Sequence, residues 1–133
     1  MSTRSNIAIE LKDGLIRNVY CHNDGYPEHN GVILTTHYND EDSARNLINL
    51  GYLSYVGESL ETTIAYHRDR GEDWESNMPQ HWGMKREWLR ENSEQFNYLY
   101  STTDQKWRCY IESGYEVVID GLKNETFFTK SLI

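Results

Sequence analysis

The residues best equipped for chemistry crowd into Val19–Asn30, VYCHNDGYPEHN, which packs a thiol, two imidazoles and two carboxylates into one short stretch. Cys21, His22, Asp24, His29 and the downstream His37 are all competent metal ligands, and turns can bring ligands together. Cys-His followed by His29 matches no zinc spacing, however, and on a strand Cys21 and His22 point to opposite faces. The expected arrangement is a polar turn in which Asp24 and His29 bond backbone groups, with no metal and no cofactor. Nucleophilic attack by Cys21 would need His67 from a neighbouring strand. The pattern has no glycine-rich elbow or helix N-terminus to lower the thiol pKa, so no catalytic residue is assigned.

A second cluster is His67-Arg68-Asp69-Arg70-Gly71-Glu72. Two arginines beside a histidine can clamp a phosphate or carboxylate through paired hydrogen bonds. The alternative is that Arg68 and Arg70 pair with Asp69, Glu72 and Asp73 on a solvated loop. If the strands leading into the two clusters are neighbours, Tyr20, His22, Tyr26, Arg68 and Arg70 line one cleft. Two aromatics would then stack a base while two cations hold phosphates. Tyr20, His22, Asp24, Tyr26, His29, His67, Arg68, Arg70 and Glu72 are therefore the candidate ligand-binding residues. Trp74 and Trp82, in the most polar stretch of the chain, are candidates for a protein interface, whereas Trp88 and Phe96 are expected in the core.

The elements that must position these groups begin with a hairpin. Ile7, Ile9 and Leu11 alternate with Ala8 and Glu10, and Asp13-Gly14 reads as a two-residue type I′ turn. That register sets Leu11 against Ile16, Ile9 against Asn18 and Ile7 against Tyr20. Pro27 ends the second strand, and Asn30 can cap a helix over 31–38. Asp40 caps a further helix that buries Ala44, Leu47 and Ile48 and stops at Gly51. Thr62–His67 reads as a strand and Lys85–Glu94 as a helix with Trp88 and Leu89 inward. Phe96–Tyr100, Trp107–Glu112 and Tyr115–Ile119 read as a meander, and Glu125–Leu132 as a last strand or short helix. The expected fold is α+β, one domain spanning the chain. Its sheet is antiparallel, with five to six strands from the N-terminal hairpin and C-terminal meander, and two to three helices on one face.

Composition narrows the partners. The 133 residues carry a net charge of −8 and include ten Tyr and four Trp. An acidic chain lacks the Lys and Arg that general nucleic-acid binding requires, while it admits a basic protein partner or mimicry of a polyanion. Cys21 and Cys109 are too far apart for a metal-binding pair and are expected as reduced, partly buried thiols. With no signal peptide and no apolar run long enough to cross a bilayer, the expected location is the host-cell cytosol, without membrane contact. Asn124-Glu125-Thr126 matches a glycosylation acceptor, which has no meaning there.

The segments STRSNIAIELKDG, VYCHNDGYPEHNG, LTTHY, NLINLGYLSYVGE and AYHRDRGED resemble a family of small proteins encoded by phages and by bacteria carrying phage genes. Its marks are an opening Ser-Thr-Arg-Ser, a Tyr-Cys-His-x-Asp-Gly-Tyr-Pro run and an Arg-Asp-Arg-Gly-Glu run. The resemblance covers roughly the first 75 residues, and Asn23 stands where the family pattern has Trp. It implies a setting in which small acidic proteins bind and block host defence machinery or sequester a nucleotide signal. The expected function is thus a non-enzymatic accessory protein with a host protein or a small nucleotide-like ligand as partner, self-association being left open. The alternatives are a small metal-dependent or nucleotide-processing hydrolase using His22, Asp24, His29 and His67, and an acidic mimic of nucleic acid.

Overall fold

Gly14 decides the register of the first hairpin. The computed structural model describes residues 2–119 and the backbone of 128–129. In it Gly14 has φ +91°, and the Leu11 and Leu15 backbones close a three-residue loop, Lys12-Asp13-Gly14, by a 2.9 Å hydrogen bond. A left-handed glycine at the end of such a loop shifts the pairing by one residue from the two-residue turn expected. Strand β1 (Ser5–Glu10) therefore meets β2 (Ile16–Cys21) with Glu10 opposite Ile16, Ala8 opposite Asn18 and Ile7 opposite Val19. The slip moves Ile16 away from Ile7 and Ile9 and onto the other face, with Ala8.

The remaining strands are β3 (Leu53–Tyr55), β4 (Ile64–Ala65), β5 (Gln80–Trp82), β6 (Phe96–Ser101), β7 (Lys106–Ile111), β8 (Glu116–Val118) and β9 (Phe128–Thr129). Among the described residues they form one nine-stranded sheet in the order β4-β3-β2-β1-β6-β7-β8-β9, with β5 also pairing to β2. The sheet is mixed, because β1 runs parallel to β6 and β2 parallel to β3. The expected antiparallel sheet of five to six strands is corrected on both counts. Side-chain alternation reports which face a residue takes, but not whether a distant strand arrives parallel or antiparallel.

Helices also cover both faces, where one was expected. On one face Ile7, Ile9, Val19, Cys21 and Tyr98 pack with Leu34 of α1 (Val32–His37) and Ala44, Leu47 and Ile48 of α2 (Glu41–Ile48). Two very short helices follow, α3 (Tyr66–Arg70) and α4 (Trp74–Asn77). On the opposite face Ala8, Ile16, Leu99 and Tyr110 pack with Trp88 of α5 (Lys85–Asn92). Truncating a buried Trp of this kind costs about 3–5 kcal/mol.

Local chemistry explains where these elements start and stop. The Asp40 carboxylate accepts from the Ser43 N–H at 2.7 Å, and Gly51 at φ +84° ends the turn after α2, as the sequence predicts. Asn30 does not cap α1. A π-helical turn, Pro27–Gly31, leads into that helix, and the Asn30 amide points inward to donate to Ser5 Oγ at 3.1 Å. Only Ile64–Ala65 of the strand expected over Thr62–His67 is extended. The Asp69 carboxylate accepts from the Ala65 N–H at 2.7 Å, a local bond that favours turning at once into α3. Helix α5 ends at Asn92 rather than Glu94, because the Asn97 side chain bonds the Glu94 backbone N–H and carbonyl. The meander β6-β7-β8 appears as expected to within a residue or so at each end. Of Glu125–Leu132 only β9 is described, and Asn124-Glu125-Thr126 lies outside the described residues.

A buried row of amides ties α5 to the sheet. Trp88 Nε1–H donates to Asn18 Oδ1 at 3.1 Å, the Asn18 amide to Asn6 Oδ1 at 3.2 Å, and the Asn6 amide to Asn97 Oδ1 at 2.8 Å. The Asn97 amide then donates to the Tyr110 carbonyl at 3.1 Å. One chain of hydrogen bonds thus crosses β2, β1, β6 and β7 beneath the helix.

Candidate functional site

Strand alternation assembles a polar row at one end of the sheet. Extending the pairing by one position sets His22 opposite Arg4, Arg4 beside Gln95 and Gln95 opposite Glu112. The Arg4 backbone N–H donates to Gln95 Oε1 at 2.9 Å. All four residues share the face that carries Tyr20, Asn6, Asn97 and Tyr110. Helix α5 covers the middle of that face and stops at Asn92, which leaves this end open. The result is a cleft of about 510 Å³ lined by Ser2, Arg4, His22, Glu94, Gln95 and Glu112.

His22 is the oriented member of the row. The Tyr20 hydroxyl lies 2.7 Å from its Nδ1. Burial raises the Tyr20 phenol above its ordinary pKa, with Arg4 opposing and Glu94 adding to the shift. A protonated phenol can donate to Nδ1 or accept from its N–H, so the bond holds the ring in place while the donor depends on the imidazole tautomer. Burial likewise holds the Glu94 carboxyl above the usual glutamate range, against the opposing pull of Arg4 and with Glu112 adding to the rise. The cleft therefore offers donors from Arg4, acceptors from Glu94, Gln95 and Glu112, and the His22 ring, whose free nitrogen donates or accepts according to its tautomer.

The other sequence-predicted residues fall into separate settings. The Asp24-Gly25 turn follows β2, with Asp24 at φ +56°. Gly25 passes so close to β1 that a Cβ there would sit 2.7 Å from Ser5 Cβ, and the Tyr98 hydroxyl donates to its carbonyl at 2.7 Å. Asn23 donates to the Ser54 carbonyl at 2.9 Å and accepts from Ser2 Oγ at 2.8 Å. His29 is bound to Asn30 Oδ1 through Nδ1 at 2.9 Å and to the Tyr55 hydroxyl through Nε2 at 3.2 Å. Tyr26 is exposed, its ring 6.2 Å from that of His29.

Strand β3 stands between the two expected walls of the cleft. Tyr52 links them: its ring lies 5.9 Å from Tyr20, and its carbonyl accepts from the Tyr66 N–H at 3.1 Å. Arg68 and Arg70 do not converge. Arg68 Nη2 donates to the Leu60 and Thr63 carbonyls at 2.8 and 2.7 Å and to Asp69 at 2.9 Å. Arg70 lies over the Tyr66 ring, 5.5 Å from its centroid. His67 accepts or donates nothing to either arginine among the described contacts; its Nδ1 bonds the Glu72 carbonyl at 2.8 Å, and its ring meets Trp74 edge-on at 5.2 Å. Trp74 is 37% exposed, while Trp82 packs against the Trp88 cluster.

Both thiols are wholly buried and free. Burial pushes Cys21 up to about 11 and Cys109 further still, so neither is a thiolate near neutrality. Among the described residues no group of three His, Cys, Asp or Glu side chains is placed to hold a metal ion, and no helix is long and apolar enough to cross a membrane.

No family model, curated protein or solved structure matches the chain.

Arg4, Glu94, Gln95 and Glu112 were not singled out from the sequence. Part of their signal was there: Arg4, Gln95 and Glu112 lie at the ends of predicted strands, on the parity of the Asn-rich face. Seeing them as one row required the parallel pairing of β1 with β6, which no local pattern carries.

Proposed function

We propose that this chain is a non-enzymatic, phage-type accessory protein that binds a host component and blocks it, with the sheet-end cleft as its contact surface. The observation that carries this reading is the cross-strand row His22–Arg4–Gln95–Glu112, open to solvent and backed by the rigid amide ladder. Rigid elements hold a recognition surface at low ordering cost, which favours binding. The phage setting rests on the resemblance of the first 75 or so residues. A protein partner is favoured over a nucleotide, since Arg68 is saturated by its own loop and two carboxylates flank Arg4.

The test is capture from bacterial lysate on immobilised protein, followed by native mass spectrometry of the eluate. A retained partner that is lost when His22 and Glu112 are both replaced by Ala supports the reading. Turnover of cyclic or linear nucleotides by the purified protein, with nothing retained, refutes it.

A further inference from the structure

The charges in the sheet-end cleft do not neutralise one another. Glu94 enters from the segment after α5 and Glu112 from the end of β7, while Arg4 comes from the segment before β1. Among the described residues, none of these three side chains takes part in a salt bridge. The lining holds two carboxylates against one guanidinium, with the Gln95 amide and the His22 imidazole beside them. Arg4 is near enough to act on Glu94 through space without pairing to it.

We propose that the cleft receives an arginine or lysine residue of a basic protein segment, its cationic head between Glu94 and Glu112 and its backbone carbonyl toward Arg4 and His22. This rests on the binding reading above and names what the surface takes. A residue of that type supplies both halves of the complement, a cation for the carboxylates and an acceptor for the donors. A phosphate would gain Arg4 but meet two carboxylates of its own sign, Glu94 and Glu112. A net charge of −8 steers a basic partner toward the chain.

The experiment is a titration of acetyl-Gly-Arg-Gly-amide into the ¹⁵N-labelled protein, read by amide shifts. The neutral citrulline analogue and inorganic phosphate are run in parallel. The arginine peptide is expected to shift the amides of Arg4, His22, Gln95 and Glu112, and the citrulline peptide to bind about tenfold more weakly, the scale of one lost charge-assisted hydrogen bond. Glu94→Gln and Glu112→Gln should each weaken arginine binding. Unfolding curves confirm that each variant is folded. Equal binding of the arginine and citrulline peptides, or no shifts at the cleft, overturns the proposal. Phosphate binding that Arg4→Ala abolishes also overturns it, by making the cleft an anion site. None of these results touches the binding reading, which stands or falls on lysate capture.

Discussion

The Tyr20 hydroxyl sits 2.7 Å from Nδ1 of His22, two positions along the same face of β2. The pair fixes the orientation of a histidine at a strand end. Tyr20→Phe removes the bond and is expected to cost about 0.5–1.5 kcal/mol. The two ring nitrogens of His22 should then lose their distinct ¹⁵N shifts, as tautomers mix. Unaltered ring-nitrogen shifts in the variant would show that the hydroxyl does not set the tautomer.

Glu94 links the cleft to stability. Its carboxyl is held above the usual range by burial, with Glu112 adding and Arg4 opposing; His22 lines the same cleft. The folded state therefore holds this proton more tightly than the unfolded chain does. The stability this confers is full below the ordinary glutamate value of about 4.3 and is lost as pH rises through the raised folded value. Glu94→Gln should leave the protein as stable or more stable at pH 7 and flatten that part of the pH profile. Urea midpoints from pH 4 to 7 would decide it, and a clear loss of stability at pH 7 would count against it. A side chain that costs stability where it stands is a common mark of a binding surface.

Arg68 and Arg70, two positions apart in the motif, should part company on mutation. Arg68→Ala breaks hydrogen bonds to Leu60, Thr63 and Asp69, so amide exchange across the 60–65 loop should quicken. Arg70→Ala loses only a cation–π contact on a surface ring, worth about 0.5–1 kcal/mol at most. Equal effects on that loop would mean the Arg68 contacts are not what holds it.

The amide ladder should be intolerant of single changes. Asn6→Ala leaves the buried Asn18 amide without its acceptor, at about 1–3 kcal/mol for a buried polar group left without a partner, while Asn97 Oδ1 keeps the Glu94 N–H. Chemical denaturation should show a fall of that order or larger, and near-native stability would imply that the ladder relaxes freely.

How far the sequence could be read follows from the range of each signal. The α2 cap at Asp40, the stop at Gly51 and the C-terminal meander were all legible, since caps, left-handed glycines and short connections act within a few residues. The Asp13-Gly14 turn was placed correctly yet misjudged by one residue, because Gly14 serves a three-residue loop as well as a two-residue one. The Arg68–Asp69 pairing was foreseen as the quiet alternative to an anion clamp. The parallel contact of β1 with β6 was not legible at all, and it alone brings Arg4 beside Gln95. His22 was picked out for its type, but its neighbours across that contact could not be.

The central claim is that the protein works through the sheet-end cleft. Hydrogen exchange on the complex with the lysate-captured partner tests it most directly. Slowed exchange at residues 3–5, 22–23, 94–96 and 112–113, with residues 66–78 unchanged, is the predicted result. Slowed exchange confined to 66–78, around Arg68, Arg70 and Trp74, would contradict it.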